Sequence, residues 1–336
     1  MLRQLDRLLL SRWEEFGCPG QRPERFLYAL SAERHPHSKA VLCCLPQGDG
    51  AEALVVKIQK DDLQQPFLRN EYARLKALAG QENLRELRAS IPRPLFFGDI
   101  AGHPALIETF VPGVPFSKHS RRREPGLFLG VSNWLRAFHS RTLRTSASGP
   151  EAEIARHFLR PLESAKHALR GNPTIQHFLD GIGQKVDAMS GTGLPLVFSH
   201  NDLTLNNIRF QGNRIGVIDW EFSHFPDLPL LDLINVFLFF AMTWKRLSYT
   251  ESFRLAFSGG NEVSRLLRQC ISGYVRDLGL PAALLRPLVV QYLISRIPLL
   301  QRVGNLRNYE EVVWCLHAIA AGDVDLDAWE ACGSGR

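Results

Sequence analysis

The chain has 336 residues, 45% apolar and 22% charged, ordinary for a soluble globular protein and long enough for two lobes with separate cores. Forty Lys+Arg against thirty-four Asp+Glu leave a formal charge of +6, dispersed along the chain, which argues against a nucleic-acid partner. The densest basic run, KHSRRR at 118–123, reads as a solvated loop, and the six cysteines (18, 43, 44, 270, 315, 332) form neither a CxxC pair nor a zinc spacing, which fits a reducing cytoplasm.

In chain order, MLRQLDRLLLSRWEE mixes charges through its leucines and predicts a short amphipathic helix rather than a signal segment. Strands are predicted at RFLYAL (25–30), KAVLCCL (39–45) and ALVVKI (53–58), with PQGDG (46–50) as the hairpin turn between the second and third. Cys43 and Cys44 then point to opposite faces of one strand. A helix follows over about 65–80, then strands PLFFGD (94–99) and PALIETF (104–110).

After VPGVPF (111–116) the pattern becomes helical, at 126–142, 151–170, 173–189, 227–245, 261–278 and 281–302. Short strands at 196–198 and 214–219 interrupt it, with a QGN turn at 211–213. The apolar stretch 228–244 carries Asp232 and Asn235, so it reads as a buried helix and not a membrane span. A strand-rich first third and a helix-rich remainder predict an α+β protein: an N-terminal lobe over 1–108, a hinge at 109–113 and a C-terminal lobe over 114–336.

Two charges stand out of place. In FLRNEYARLKALAG, Leu68, Tyr72, Leu75, Leu78 and Ala79 form one apolar stripe, and Glu71 lies within it. A carboxylate on a buried face needs a cation or several donors. Lys57, at the end of the apolar run ALVVK, needs an anion for the same reason. Each is explained if the two meet.

The loop FSHNDLTLNNIRF holds Asp202 and, five residues on, Asn207; Asp219 ends the apolar strand in VIDWE. Phosphoryl transfer needs a carboxylate to orient or deprotonate the attacking hydroxyl, and oxygen ligands for Mg²⁺ beside the triphosphate. The H-x-D-x-x-x-x-N spacing matches the protein-kinase catalytic loop, and IDW stands where DFG would be.

At these residues the chain resembles the aminoglycoside phosphotransferase and choline kinase-like superfamily, which shares the two-lobed protein-kinase fold: a small antiparallel-sheet N-lobe and a larger, mainly helical C-lobe. SHNDLTLNNIRF and VIDWEFSHFPDLPLLDL carry the resemblance, with ALVVKI, NEYARLKAL, IPRPLFFGD and ALIETFVPGVPF in matching order from about residue 25 to 245. The resemblance implies Asp202 as catalytic base, Asn207 and Asp219 as Mg²⁺ ligands, Lys57 as the phosphate-binding lysine and Glu71 as its partner. It implies a structural His200, an Asp232 that helps hold the catalytic loop, and backbone groups of Glu108, Thr109 and Val111 meeting the nucleotide base.

Two departures stand out. Asn201 occupies a position that is usually Gly in the aminoglycoside branch and often Asn in the choline kinase-like branch. The expected phosphate-covering loop, LSAERHPHSK (30–39), has no glycine, which leaves Ser31, Arg34, Ser38 or Lys39 to approach phosphate. His35 and His37 lack a third metal ligand, His139 reads as a packed helix residue, and Trp220 with Phe237, Phe239 and Phe240 reads as core. The acidic tail GDVDLDAWE (322–330) reads as solvated or as lining an acceptor cleft.

The expected function is that of a cytoplasmic, Mg²⁺-dependent kinase moving the γ-phosphoryl group of ATP or GTP to a hydroxyl of a small molecule. Residues 114–336 hold 25 Lys+Arg and 20 Asp+Glu, a net +5 that favours a neutral or anionic, sugar-like acceptor over a polycation. A choline-type kinase and a catalytically weak, kinase-shaped scaffold are the alternatives; a protein kinase is disfavoured because no DFG or APE segment is present.

Overall fold

The computed structural model describes residues 1–17, 22–32, 39–47, 52–59, 65–145, 149–189, 193–302, 305–324 and 326. Two compact units emerge: unit 1 comprises Met1–Pro115 and Asn207–Ser223, and unit 2 comprises Phe116–Asn206 and His224–Arg336. Residues 207–223 thus belong with the first unit, whereas the sequence reading put them in the C-terminal lobe.

In unit 1, α1 (Leu2–Ser11) precedes β1 (Phe26–Ala32), β2 (Ala40–Pro46), β3 (Leu54–Ile58), α2 (Gln65–Ala79), β4 (Pro94–Ile100), β5 (His103–Thr109) and β6 (Val114–Pro115). The five longer strands form one antiparallel sheet in the order β1-β2-β3-β5-β4. One face of this sheet carries Leu42, Cys44, Leu54, Val56, Ala105 and Ile107, packed with Leu5, Leu9, Trp13 and Phe16 of the N-terminal segment. The predicted amphipathic helix is therefore the cover of the sheet, and burying its apolar face is what holds it. Cys44 is buried and Cys43 only half-buried, as strand alternation requires.

Unit 2 opens with α3 (Pro125–Thr142), β7 (Arg144–Thr145), α4 (Pro150–Ile154), α5 (Arg160–Ala168), α6 (Pro173–Asp187) and β8 (Pro195–Ser199). The chain then re-enters unit 1 as the hairpin β9 (Ile208–Gln211) and β10 (Arg214–Val217), which β6 extends to three strands. Gly113 makes that join possible: at φ +127° a Cβ would lie 2.6 Å from the Phe210 carbonyl oxygen.

Unit 2 resumes with β11 (His224–Asp227), α7 (Leu231–Lys245), α8 (Tyr249–Phe257), α9 (Glu262–Leu278), α10 (Leu285–Arg302) and α11 (Leu306–Ala320). Its core is α7, buried on nearly every side, with Phe237 and Phe240 in ring contact with Phe128. Phe239 is half-buried and Trp220 fully buried. Among the described residues no helix is long and apolar enough to cross a membrane.

The α+β class and the helical remainder follow the sequence reading. A single turn of π-helix over residues 155–159 links α4 to α5 within the predicted helix at 151–170. The helices α8 and α11, a 3₁₀ helix at Glu82–Ser90 and the pairing of β6 with β9 had not been anticipated. The predicted 46–50 turn, apart from its first two residues, lies outside the described residues, as do Arg34, His35, His37, Ser38, Cys18 and Cys332, and most of the acidic tail.

Candidate functional site

Strand alternation builds the site in unit 1. Leu54, Val56 and Ile58 point from β3 toward the α1 face, so Val55 and Lys57 point to the other. Across the ladder Val55 pairs with Glu108 and Lys57 with Leu106, which brings Glu108 to the face that holds Lys57. The α2 stripe supplies Glu71 there. Leu68, Leu75 and Leu78 of that stripe are buried; Tyr72 is half-buried and Ala79, at the helix end, is exposed.

Lys57 is 4% exposed and Glu71 0%, and the Lys57 ammonium donates to Glu71 Oε1. The same Nζ lies 3.0 Å from Glu108 Oε1 and 3.5 Å from Asp219 Oδ1. Burial works against the ammonium charge, but Glu108, Glu71 and Asp219 outweigh it and hold the Lys57 pKa well above its ordinary value. Burial pushes the Glu108 carboxyl up to about 7, against the pull of Lys57. The sequence points to Glu108 for its backbone; its side chain, which the sequence did not single out, joins the lysine cluster.

Glu71 also orders the segment that follows β10. Its Oε1 accepts the Trp220 backbone N–H at 2.9 Å, and Asn70 Nδ2 donates to the Glu221 carbonyl. The Asn207 carbonyl accepts the Ile218 N–H at 3.0 Å, so the two residues expected to hold metal come from chain segments bonded to each other. Between these anchors Asp219 adopts φ +70°, a region that residues with a Cβ avoid unless their surroundings impose it. Oxygens of Glu71, Asp219 and Glu221 lie within 4.8 Å of one another. An all-oxygen donor set of this kind suits a hard divalent cation. Glu221 had not been anticipated as part of it.

Lys39 pairs with Asp219 and lies 2.7 Å from Glu221 Oε2 and 3.8 Å from Glu71 Oε2. It is the one described residue among the four polar candidates of the glycine-free loop whose side-chain contacts are established; Ser38 lies outside the described residues. Thr109 is occupied by Arg93, whose N–H it accepts at Oγ1 (2.9 Å) and to whose carbonyl it donates its own N–H (3.0 Å). Val111 is buried.

In unit 2 the loop carrying Asp202 hangs on Asp232. Its carboxylate accepts from Ser199 Oγ (2.9 Å), His200 N (2.7 Å) and Asn201 N (2.8 Å). It is buried, which acts against ionisation, but bonds from His139 and His200 prevail and keep its pKa below the ordinary carboxylate value. His139, fully buried, bonds Tyr274, whose hydroxyl accepts the Leu230 N–H at 3.0 Å. His200 is buried, and its Nδ1 accepts the Asp202 N–H at 3.3 Å. Asn201 has φ +62°, which Asn tolerates better than most residues, and its amide donates to Asp227 Oδ2 at 2.9 Å.

Two predictions follow from the lysine cluster. Lys57→Met leaves two buried carboxylates short of their cation and is expected to lower stability by about 3 kcal/mol. Adding Glu71→Gln should recover at least about 1 kcal/mol of this in denaturant unfolding; strict additivity would mean the pair does not interact. The raised Glu108 pKa makes the folded chain bind a proton more tightly than the unfolded one. Stability from this group is therefore fully present below pH 4.5 and declines as pH rises to about 7, by at most about 1.4 kcal/mol per pH unit. Glu108→Gln is expected to flatten unfolding free energy across that window relative to the wild type.

Residues 47–267 match the model of the phosphotransferase enzyme family, APH. Among solved structures, the chain is similar to a protein assigned as a fructosamine-3-kinase from Thermobifida fusca (17% identity, covering 92% of this chain and 99% of that one, TM-score 0.50). It is also similar to the amicoumacin kinase hAmiN in complex with AMP-PNP, Ca²⁺ and Ami (14%, 88% and 89%, 0.50). An aminoglycoside phosphotransferase, APH(3'')-Id, from Streptomyces rimosus also aligns (20%, 85% and 95%, 0.46). No curated protein sequence matches the chain. With the match covering well over half its length, the chain belongs to the phosphotransferase enzyme family and has the protein-kinase-like α+β fold.

Proposed function

We propose that the protein is a cytoplasmic, Mg²⁺-dependent kinase that transfers the γ-phosphoryl group of ATP or GTP to a hydroxyl of a small, neutral or anionic, sugar-like acceptor. The observation that carries this reading is the buried Lys57–Glu71 pair, whose carboxylate also anchors the backbone beside Asp219. A pair that only stabilised the fold would have no need to set the geometry of a metal-ligand segment.

In this reading Asp219 and Asn207, with Glu221 close by, hold the Mg²⁺, which neutralises charge on the triphosphate. Lys57 orients the phosphates, and the Glu108–Val111 backbone meets the base. Asp202 orients the acceptor hydroxyl and takes its proton as the O–P bond forms and the nucleoside diphosphate leaves. The amicoumacin kinase, bound to AMP-PNP and Ca²⁺, lends support to a nucleotide and a divalent cation.

Arg296 on α10 bears on the acceptor class. Its half-buried guanidinium donates to Asn235 Oδ1 at 2.8 Å, lies over the Tyr292 ring and interacts electrostatically with Asp202. A cation beside the base repels a multiply cationic substrate and attracts an anionic one. One observation favours the scaffold alternative: Lys39 already pairs with both Asp219 and Glu221. The kinase reading requires that Mg²⁺ and nucleotide displace it.

Asp219→Ala is expected to abolish Mg²⁺-dependent nucleotide binding measured by calorimetry. Asp202→Asn should keep that binding while turnover falls by about 10²-fold or more. Equal loss of binding in both variants contradicts the division of roles. Efficient phosphorylation of a polycationic aminosugar, abolished by Asp202→Asn, contradicts the acceptor class.

A further inference from the structure

Unit 1 contains a cavity of about 490 Å³, within the size range of small-molecule sites, that shares Thr109 and Val111 with the segment proposed to meet the base but none of the lysine cluster. Its floor is apolar and buried, formed by Leu78, Leu84, Ile91 and Val111. Gly216 belongs to that floor, and a Cβ there would lie 2.2 Å from Val111 Cγ1, so bare backbone is what lets Val111 seat. Around the floor stand three exposed arginines, Arg88, Arg93 and Arg214, and one carboxylate, Glu52. The lining carries a formal charge of +2.

The arginines are not equivalent. Arg93 is largely committed: it donates to the Phe16 carbonyl at 2.7 Å and the Gly17 carbonyl at 3.2 Å, and lies 3.7 Å from Glu52 Oε2. Glu52 therefore balances Arg93. Arg88 gives one donor to Glu82 at 2.9 Å, and a guanidinium has five. Arg214 lies on the exposed β9–β10 hairpin, paired with Gln211 in the ladder. Arg88 is paired with Glu82 outside the lining and keeps donors to spare, so the positive charge that faces the cavity comes from Arg214 and the remaining donors of Arg88.

This is not the lysine cluster seen from another side. Thr109, which lines the cavity, pairs in register with Leu54 and so projects from the sheet face opposite to Lys57 and Glu108. The walls nevertheless belong to elements that carry the cluster. Leu78 and Ala79 end the helix of Glu71, Thr109 ends the strand of Glu108, and Gly216 lies three residues before Asp219.

We propose that the cavity is a second ligand site for a small anionic amphiphile: an aromatic or aliphatic body with a single carboxylate, sulfonate or phosphate. The body covers the Leu78, Leu84, Ile91 and Val111 floor, where apolar burial drives binding, and the anion meets Arg88 and Arg214 at the rim. Charge complementarity selects this class over a neutral lipid, which would leave the arginines without an anion, and over a cation, which they would repel.

The test uses 8-anilinonaphthalene-1-sulfonate, an aromatic sulfonate whose fluorescence rises on apolar burial, titrated into the full chain. The expected result is one saturable site. Arg88→Glu with Arg214→Glu should weaken it at least tenfold, and Ala79→Trp, which narrows the cavity without changing charge, should weaken it as well. Circular dichroism verifies that both variants are folded. Wild-type affinity in either folded variant, or non-saturable binding to the wild type, overturns the proposal.

Discussion

The contact on which the site depends is the buried bond between Lys57 and Glu71. A lone carboxylate on the inner stripe of α2 would be untenable, and a lone ammonium on the inner face of β3 equally so. Joined, they fix the helix against the sheet, and the carboxylate has capacity left for the Trp220 N–H. The position of Asp219 is thereby tied to the position of α2. Glu108 adds a second anion to a single lysine, and Asp219 and Lys39 extend the cluster into a network of alternating charge. Around these two lysines stand four carboxylates, Glu71, Glu108, Asp219 and Glu221.

Asp232 plays the corresponding part in unit 2. One buried carboxylate collects a hydroxyl and two consecutive backbone N–H groups and so sets the turn that presents Asp202. His139 and Tyr274 stand behind it, remote in sequence from the loop they support. Loops that carry chemistry need this kind of backing, because a side chain that must approach substrate cannot also be fixed by core packing.

Much of this was legible in the sequence, for a shared reason: charges set in apolar patterns are visible without a structure. Lys57 in ALVVK, Glu71 in the Leu68–Leu75–Leu78 stripe and Asp232 in an otherwise apolar helix all stand out by period alone. Glu108 stands out in the same way in ALIET, and only its strand parity, which sets it beside Lys57, reveals its role. Lys39 and Asp219 lie 180 residues apart, and no local pattern announces their pairing. Glu221 hides in a polar turn. The helix α8 did carry a readable signal, the Ser248–Glu251 capping box, which the broader helical periodicity overshadowed. The segment 207–223 is tied to unit 1 by long-range contacts, the pairing of β9 with the two-residue β6 and the Glu71–Trp220 bond among them, that no local periodicity registers.

On the proposed function, the lysine and carboxylate network of unit 1 holds a metal-bound nucleotide. Calorimetric titration of the unmodified full chain with ATP and with GTP, each with Mg²⁺ and with the metal chelated, tests it most directly. Saturable binding of at least one nucleotide at a stoichiometry of about one, lost on chelation, is expected. Absence of binding by both nucleotides in the presence of Mg²⁺ would contradict it and leave the fold to a non-catalytic role.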